Sequence, residues 1–91
     1  MRVRWTSPAT EDLYRIVRRI QQDNPTAALR VGERLYDSCS GLGNFPYLGR
    51  TGRIPGTREL VISGLPYIIV YRIQGTFVEI VRIYHRAQDW P

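Results

Sequence analysis

The sequence contains no lysine, and all thirteen of its basic residues are arginine. Arginine offers a planar fork of donors that binds carboxylates and phosphates bidentately, so this composition favours an acidic partner, either nucleic acid or an acidic protein segment. A GC-rich genome is the other explanation for arginine in place of lysine. Under either explanation, the formal net charge of +5 must be balanced by an acidic partner or by solvent and its ions.

Cysteine and histidine are nearly absent, since Cys39 and His85 are the single examples of each. One cysteine cannot form an intrachain disulfide, which fits a reducing cytoplasm. One histidine and one cysteine without clustered acids predict no metal site, and no fingerprint of an organic cofactor is present. We therefore expect a cytoplasmic protein that needs no cofactor.

Long hydrophobic runs are also missing. The longest, Leu65 to Tyr71, is interrupted by Pro66 and is far too short to span a bilayer. The start of the chain, Met1 to Trp5, runs directly into polar sequence, so no signal peptide is expected. These absences predict no contact with a membrane.

What is present suits one packed globular domain over residues 1–91, with 43% hydrophobic and 11% aromatic residues. The basic excess is spread along the chain: seven arginines stand against five acids in residues 1–43, and six against three in residues 44–91. The sequence therefore has no basic tail, and folding must assemble any basic patch.

The first half of the chain predicts one strand and two helices. Residues 2–5 alternate as a short strand, and Ser7 with Pro8 signals the N-cap and first position of a helix over residues 8–22. Asn24 and Pro25 repeat that signal for a helix that runs to Leu42. The short connection predicts an antiparallel helical hairpin, in which Cys39 is a small buried residue.

The second half predicts a loop and a meander. Residues 44–56 form a loop that holds two arginines and no carboxylate. Strands follow over residues 57–62, 65–73 and 76–84, separated by short turns that contain glycine. The last two strands are apolar on both faces, whereas the helical hairpin covers only one, so we expect something else to cover the other face.

An ordered set of motifs along nearly the whole chain resembles the RelE/ParE toxins of bacterial type II toxin–antitoxin modules, closest to the ParE-like, plasmid-stabilisation branch. The motifs are Asp12-Leu13 with Ile16, Asn24-Pro25-x-Ala27-Ala28, Pro46-x-x-Gly49, Gly56-Thr57-Arg58-Glu59-Leu60, Pro66-Tyr67-Ile68-Ile69-Val70-Tyr71-Arg72, Val81-Arg82-x-x-His85 and Trp90-Pro91. The resemblance implies an α+β fold of strand, helical hairpin and antiparallel meander. It also implies a cognate antitoxin whose C-terminal segment wraps the toxin.

Two activities occur in families of this kind. RelE-like members cleave mRNA on the ribosome, and ParE-like members poison DNA gyrase without bond chemistry of their own. For cleavage, this chain offers Arg58 and Arg82 to clamp a phosphate and His85 or Tyr84 as the acid. A base is missing, because lysine is absent and residues 44–57 hold no carboxylate. Glu59 is next to Arg58 but should point to the opposite face.

Each candidate residue also has a structural interpretation. His85 can hydrogen-bond the tail or the antitoxin, Arg58 and Arg82 can pair with Glu59, Glu79 or antitoxin acids, and Trp90 can anchor the C-terminal tail. The candidate contacts with a target or antitoxin are Arg58, Tyr67, Tyr71, Arg72, Arg82, Tyr84, His85, Arg86 and Trp90.

Three hypotheses follow. The first is a toxin that inhibits growth by binding DNA gyrase. The second is a ribosome-dependent endoribonuclease that uses His85 with Arg58 and Arg82 on mRNA. The third is a degenerate module that only binds its antitoxin.

Overall fold

The computed structural model describes residues 1–91 and arranges them as one strand, two helices and four further strands. The elements are β1 (Arg2–Trp5), α1 (Ser7–Asp23), α2 (Pro25–Gly41), β2 (Arg50–Thr51), β3 (Arg58–Val61), β4 (Tyr67–Gln74) and β5 (Phe77–His85). The predicted α+β class, with a helical hairpin ahead of a three-stranded meander, is confirmed.

Helix α1 starts one residue earlier than predicted, because Thr6 rather than Ser7 is its N-cap. The Thr6 hydroxyl accepts from the Ala9 N–H at 3.2 Å, and it also donates to the Val81 carbonyl of β5 at 2.9 Å. The backbone N–H of Thr6 donates to the Ile80 carbonyl. These tertiary bonds to β5 fix the position of the cap, and sequence alone could not anticipate them.

Asn24 separates the two helices and serves both. Its backbone N–H donates to the Ile20 carbonyl and closes α1, while its side chain accepts from the Ala27 N–H and caps α2, as predicted. The helices pack closely enough that a Cβ on Gly32 would lie 3.1 Å from a methyl of Val17. Neither helix has the length and apolar content that a membrane span requires.

The five strands form one sheet in the order β1-β5-β4-β3-β2, in which β1 runs parallel to β5 and the other neighbours are antiparallel. Strand β2 lies inside the predicted loop over residues 44–56, which is therefore not wholly irregular. It pairs Arg50 with Glu59 and Thr51 with Arg58. Two residues are too short a strand to leave a periodic signal.

The main core lies between the helices and one face of the sheet. Leu35 and Cys39 of α2 are fully buried there against Tyr71 of β4 and Ile80 of β5. Burial raises the pKa of the Cys39 thiol to about 12, so the thiolate is scarce at neutral pH and the residue acts as a small apolar side chain.

The opposite face of the sheet carries a second cluster of Ile68, Val70 and Tyr84, all at least 95% buried. We predicted that something besides the hairpin covers this face, and part of that cover comes from the chain itself. Trp90 folds back and packs on the cluster. The apolar pattern of β4 and β5 therefore does not by itself require a partner on this face.

Candidate functional site

The three residues predicted for RNA cleavage do not meet at one place in the sheet. Arg58 on β3 lies opposite Tyr71 of β4, whereas His85 on β5 lies opposite Tyr67. Tyr67 and Tyr71 are four residues apart, which is about 13 Å along a strand. Strand β4 also separates β3 from β5. Arg58 and His85 are therefore too far apart to hold the same phosphate.

Arg58 holds the segment before β2 in place. Its Nη1 donates to the Gly49 carbonyl at 2.6 Å, and its guanidinium lies over the Tyr47 ring, 4.9 Å from the centroid. We predicted a pairing with Glu59, Glu79 or an antitoxin acid, but within this chain the partner is a backbone carbonyl. Glu59 points to the other face, as expected for the next residue of a strand.

Arg82 forms a bidentate ion pair with Asp12 of α1. Its Nε lies 2.8 Å from Oδ2 and its Nη2 lies 3.0 Å from Oδ1. Asp12, only 1% exposed, also accepts from the Ile83 N–H at 2.9 Å and from Arg15 Nη1 at 3.1 Å. The predicted partners of Arg82, Glu59 and Glu79, are therefore wrong within the chain. The sequence did carry a signal, because Asp12 lies on the apolar face of α1.

The pKa of Asp12 reflects these contacts. Burial raises the pKa, but the hydrogen bonds donated by Arg82, Ile83 and Arg15 outweigh burial and bring it below its ordinary value. The same hydrogen bond from Arg82 raises the pKa of its guanidinium. The pair is therefore ionised at neutral pH, and it ties α1 to the edge of β5.

His85 ends β5 with one ring nitrogen occupied. Its Nδ1 accepts from the Ala87 N–H at 3.0 Å, so a neutral ring carries its proton on Nε2. Its backbone N–H donates to Gln88 Oε1 at 2.7 Å. The ring meets Tyr67 edge-on, with centroids 5.5 Å apart and an interplanar angle of 83°. This local turn presents Nε2–H as a donor.

His85 lines a concave site that we call the α1–β5 groove. The groove has a volume of about 330 Å³ and lies between α1 and the end of β5. Its lining residues are Arg15, Ile16, Arg19, Tyr67, Ile83, His85, Ala87 and Gln88. Burial raises the pKa of Tyr67, and the positive charge of Arg19 partly offsets that effect. The groove therefore combines two guanidiniums, an imidazole and a phenol.

Arg15 and Arg19 were not identified as site residues from the sequence. Their spacing of four residues does place them on one side of a helix. What the sequence does not show is that this side docks against the end of β5. Asp23 and Asn24 line the continuation of the groove beyond Arg19 and Tyr67.

Tyr84 and Trp90 form a stacked pair on the opposite face, with ring centroids 5.4 Å apart. Arg53 Nη1 donates to the Trp90 carbonyl at 2.6 Å, and Arg82 lies over the indole at 5.5 Å. This placement is consistent with the tail-anchor interpretation of Trp90. The Tyr84 hydroxyl is buried without a hydrogen-bond partner, and its pKa is raised by burial and by the negative charge of Glu59.

The carboxylate of Glu59 is engaged by the loop before β3. It accepts from Arg50 Nη2 at 3.0 Å and from the Arg53 N–H at 3.1 Å. Burial raises the pKa of Glu59, but these bonds and charges more than offset burial and leave it below its ordinary value. A buried carboxylate in two such bonds is poorly placed to accept a proton from a substrate.

Of the remaining candidate residues, Tyr71 and Arg72 have structural contacts within the chain. Tyr71 is fully buried, and its hydroxyl donates to the Pro46 carbonyl at 2.7 Å and accepts from the Gly49 N–H at 2.9 Å. Arg72 pairs with Glu79 at 2.6 Å. The side chain of Arg86 is exposed. No group of three or more histidine, cysteine or acidic side chains is arranged to hold a metal ion.

Comparison with known proteins points to one family. The sequence model described as "ParE toxin of type II toxin-antitoxin system, parDE" matches residues 3–90. "Putative toxin Y4kP" of Sinorhizobium fredii is 46% identical over 90 residues, which cover 99% of this chain and 93% of that protein. "Toxin RelE2" of Caulobacter vibrioides is 39% identical over 84 residues, which cover 92% of this chain and 93% of that protein.

A solved structure agrees with these sequences. The "Chromosomal ParDE TA system from P. aeruginosa" contains a chain that superposes with a TM-score of 0.85 at 26% identity. The match covers 93% of this chain and 95% of that one. The similarity therefore extends over nearly the whole fold.

Proposed function

The chain belongs to the ParE toxin family of type II toxin–antitoxin systems, and from that premise we propose that it inhibits growth by binding DNA gyrase. The observation that carries the proposal is the dispersal of the groups that RNA cleavage needs. Arg82 is held bidentately by Asp12, Arg58 is bound to a backbone carbonyl far from His85, and Glu59 is already engaged. Such a surface is better suited to grip a macromolecule than to cut a phosphodiester bond.

A second part of the proposal concerns the antitoxin. The structural neighbour comes from a ParDE system, and we propose that a cognate antitoxin binds this chain and neutralises it through a wrapping C-terminal segment. Large apolar side chains exposed on one loop support such a partner: Phe45 and Tyr47 are 67% exposed and Leu48 is 64% exposed. Clustered exposure of this kind is typical of protein contact sites.

Purified, antitoxin-free protein tests the gyrase proposal in a DNA supercoiling assay. A binder that does no chemistry has to occupy its target, so inhibition should saturate at a roughly stoichiometric ratio of toxin to gyrase. Adding the cognate antitoxin should restore supercoiling, and a toxin sample already mixed with antitoxin is the matched control. Full supercoiling at a large molar excess of folded toxin, with no trapped cleavage complex, would remove the proposal.

Cleavage of mRNA on the ribosome is the second candidate, and one observation favours it. His85 presents Nε2–H beside Arg15 and Arg19, which is a proton donor next to two cations. If cleavage occurs, His85→Ala removes toxicity, and primer extension on translated mRNA shows codon-dependent cuts. Intact transcripts in intoxicated cells eliminate this candidate. Normal growth after strong induction without antitoxin would instead identify a module that only binds its antitoxin.

A further inference from the structure

The α1–β5 groove is a small concave site lined by two arginines, a histidine and a tyrosine. We propose that it binds a single glutamate or aspartate carboxylate of the cognate antitoxin, with Arg19 as the main cation. This inference rests on the proposed antitoxin, and it names the chemistry of one contact. It is independent of gyrase, because it concerns only how the toxin is recognised by its neutraliser.

The donors of the groove converge from three elements. Arg15 and Arg19 come from α1, Tyr67 from β4 and His85 from β5. The Ala87 N–H holds the imidazole by Nδ1, which leaves Nε2–H as the donor. Arg15 has one nitrogen on Asp12 and keeps other N–H groups for a ligand. Charge-assisted hydrogen bonds from such groups to a carboxylate are among the strong ones in proteins.

Arg19 is the least committed cation of the groove. Its guanidinium makes no hydrogen bond or ion pair within the chain, in contrast to Arg58, Arg72 and Arg82. Arg19 and Tyr67 line both the groove and its continuation, so the two side chains border the same space. An exposed arginine that lines a concave site and has no internal partner is available to an incoming anion.

The surroundings favour one carboxylate over a nucleic-acid backbone. The Asp12 carboxylate lies behind Arg15, and Asp23 lines the continuation of the groove past Arg19. A chain of phosphates that followed the groove would bring successive negative charges towards these acids. A single acidic side chain avoids that repulsion, and its aliphatic stem can pack on Ile16 and Ile83, which line the wall. The volume of about 330 Å³ lies at the small end of ligand sites.

The test compares two arginines on the same helix. Arg19→Gln removes the proposed cation, whereas Arg18→Gln removes another exposed arginine of α1 that does not line the groove. The dissociation constant of the complex with the cognate antitoxin is measured for both variants by titration calorimetry. We expect Arg19→Gln to weaken binding about tenfold or more, and Arg18→Gln to change it less than twofold. Equal affinities of the two variants would overturn the proposal.

A second measurement separates a binding defect from a folding defect and identifies the ligand class. His85 is the only histidine, so its ring signals in NMR report the groove without assignment ambiguity. Acetate should shift these signals saturably in the wild-type protein and in Arg18→Gln, but not in Arg19→Gln. Equal melting temperatures of the three proteins establish that all are folded.

A further comparison distinguishes a nucleic-acid ligand from the antitoxin. If a single-stranded RNA oligonucleotide shifts the His85 signals and the antitoxin does not, the groove binds nucleic acid and the proposal is wrong. Gyrase inhibition by antitoxin-free Arg19→Gln is measured alongside. If Arg18→Gln and Arg19→Gln bind the antitoxin equally well while supercoiling is still inhibited, the groove proposal fails and the proposed function stands. If Arg19→Gln weakens antitoxin binding but the toxin does not inhibit supercoiling, the groove proposal stands and the gyrase proposal fails.

Discussion

Asp12 links the first helix to the last strand through a single carboxylate. It receives four hydrogen bonds, two from Arg82 and one each from Arg15 and the Ile83 backbone. A buried charge is tolerated when it is paired and hydrogen-bonded to this extent, and it becomes costly once a partner is removed. The residue therefore has a structural role that explains why Arg82 is not free to clamp a phosphate.

Asp12→Asn should lower the free energy of unfolding by about 2–3 kcal/mol, because the neutral amide loses the charge-assisted bonds and leaves Arg82 without its counter-ion. Urea unfolding followed by circular dichroism measures the change. Asp37→Asn, at an exposed position of α2, is the matched control. We expect it to change the free energy of unfolding by less than about 0.5 kcal/mol. Similar losses in both variants would contradict the assigned role.

The pH dependence of stability should follow from Asp12 and Glu59. Both carboxyls have a pKa below the ordinary value, so both bind protons more weakly in the folded chain than in the unfolded one. Their stabilisation is complete above the unfolded pKa of about 4 and is lost as pH falls through the folded pKa values. Unfolding experiments between pH 7 and pH 2 should show this decline, with a shallower slope in Asp12→Asn. A flat profile below pH 4 would be inconsistent with the two lowered pKa values.

Among the elements, the segment between α2 and β3 is fixed against the sheet by a few contacts of Gly49 and has no hydrophobic core of its own. Gly49 packs so closely that a Cβ would lie 2.8 Å from the Tyr71 ring and 2.9 Å from the Glu59 carbonyl. The Tyr71 hydroxyl and Arg58 bind the N–H and the carbonyl of the same glycine. These contacts position β2 and the exposed apolar side chains before it.

Gly49→Ala should therefore destabilise the protein by about 1–3 kcal/mol, since an overpacked site must displace Tyr71 or the backbone of β3. Gly41 is the informative counterpart, because it ends α2 and a Cβ there meets nothing within 4 Å. Gly41→Ala should be neutral or stabilise the helix by up to about 1 kcal/mol. Thermal melts of the two variants check the contrast, and the opposite order of stabilities would refute it.

The elements themselves were largely predictable from the sequence, whereas the site was not. Pro25 after Asn24, apolar periodicity and glycine turns are local signals, so the hairpin and the meander were identified within a few residues. Strand β2 was missed because its pairing depends on tertiary contacts. The groove was missed because its donors, Arg19 and His85, come together only when α1 docks on β5.

At the scale of the whole molecule, the chain carries an excess of five positive charges and exposes apolar side chains before β2. An acidic partner that covers these features binds the folded state alone and must stabilise it by mass action.

Cognate antitoxin at about one hundred times its dissociation constant should raise the free energy of unfolding by about 2.7 kcal/mol. Calorimetric melting of the toxin with and without antitoxin measures the shift, and an unrelated acidic protein at the same concentration serves as the control. A melting temperature that does not respond to the antitoxin would contradict a folded-state complex.

We propose that this toxin binds DNA gyrase and does not cut RNA, and induction in cells without the antitoxin tests this proposal most directly. DNA damage and transcript integrity are followed in the same culture, by a damage-response reporter and by primer extension on translated mRNA. We expect the damage response to rise as growth stops, with transcripts intact. Cut transcripts in cells that show no DNA damage would contradict the claim.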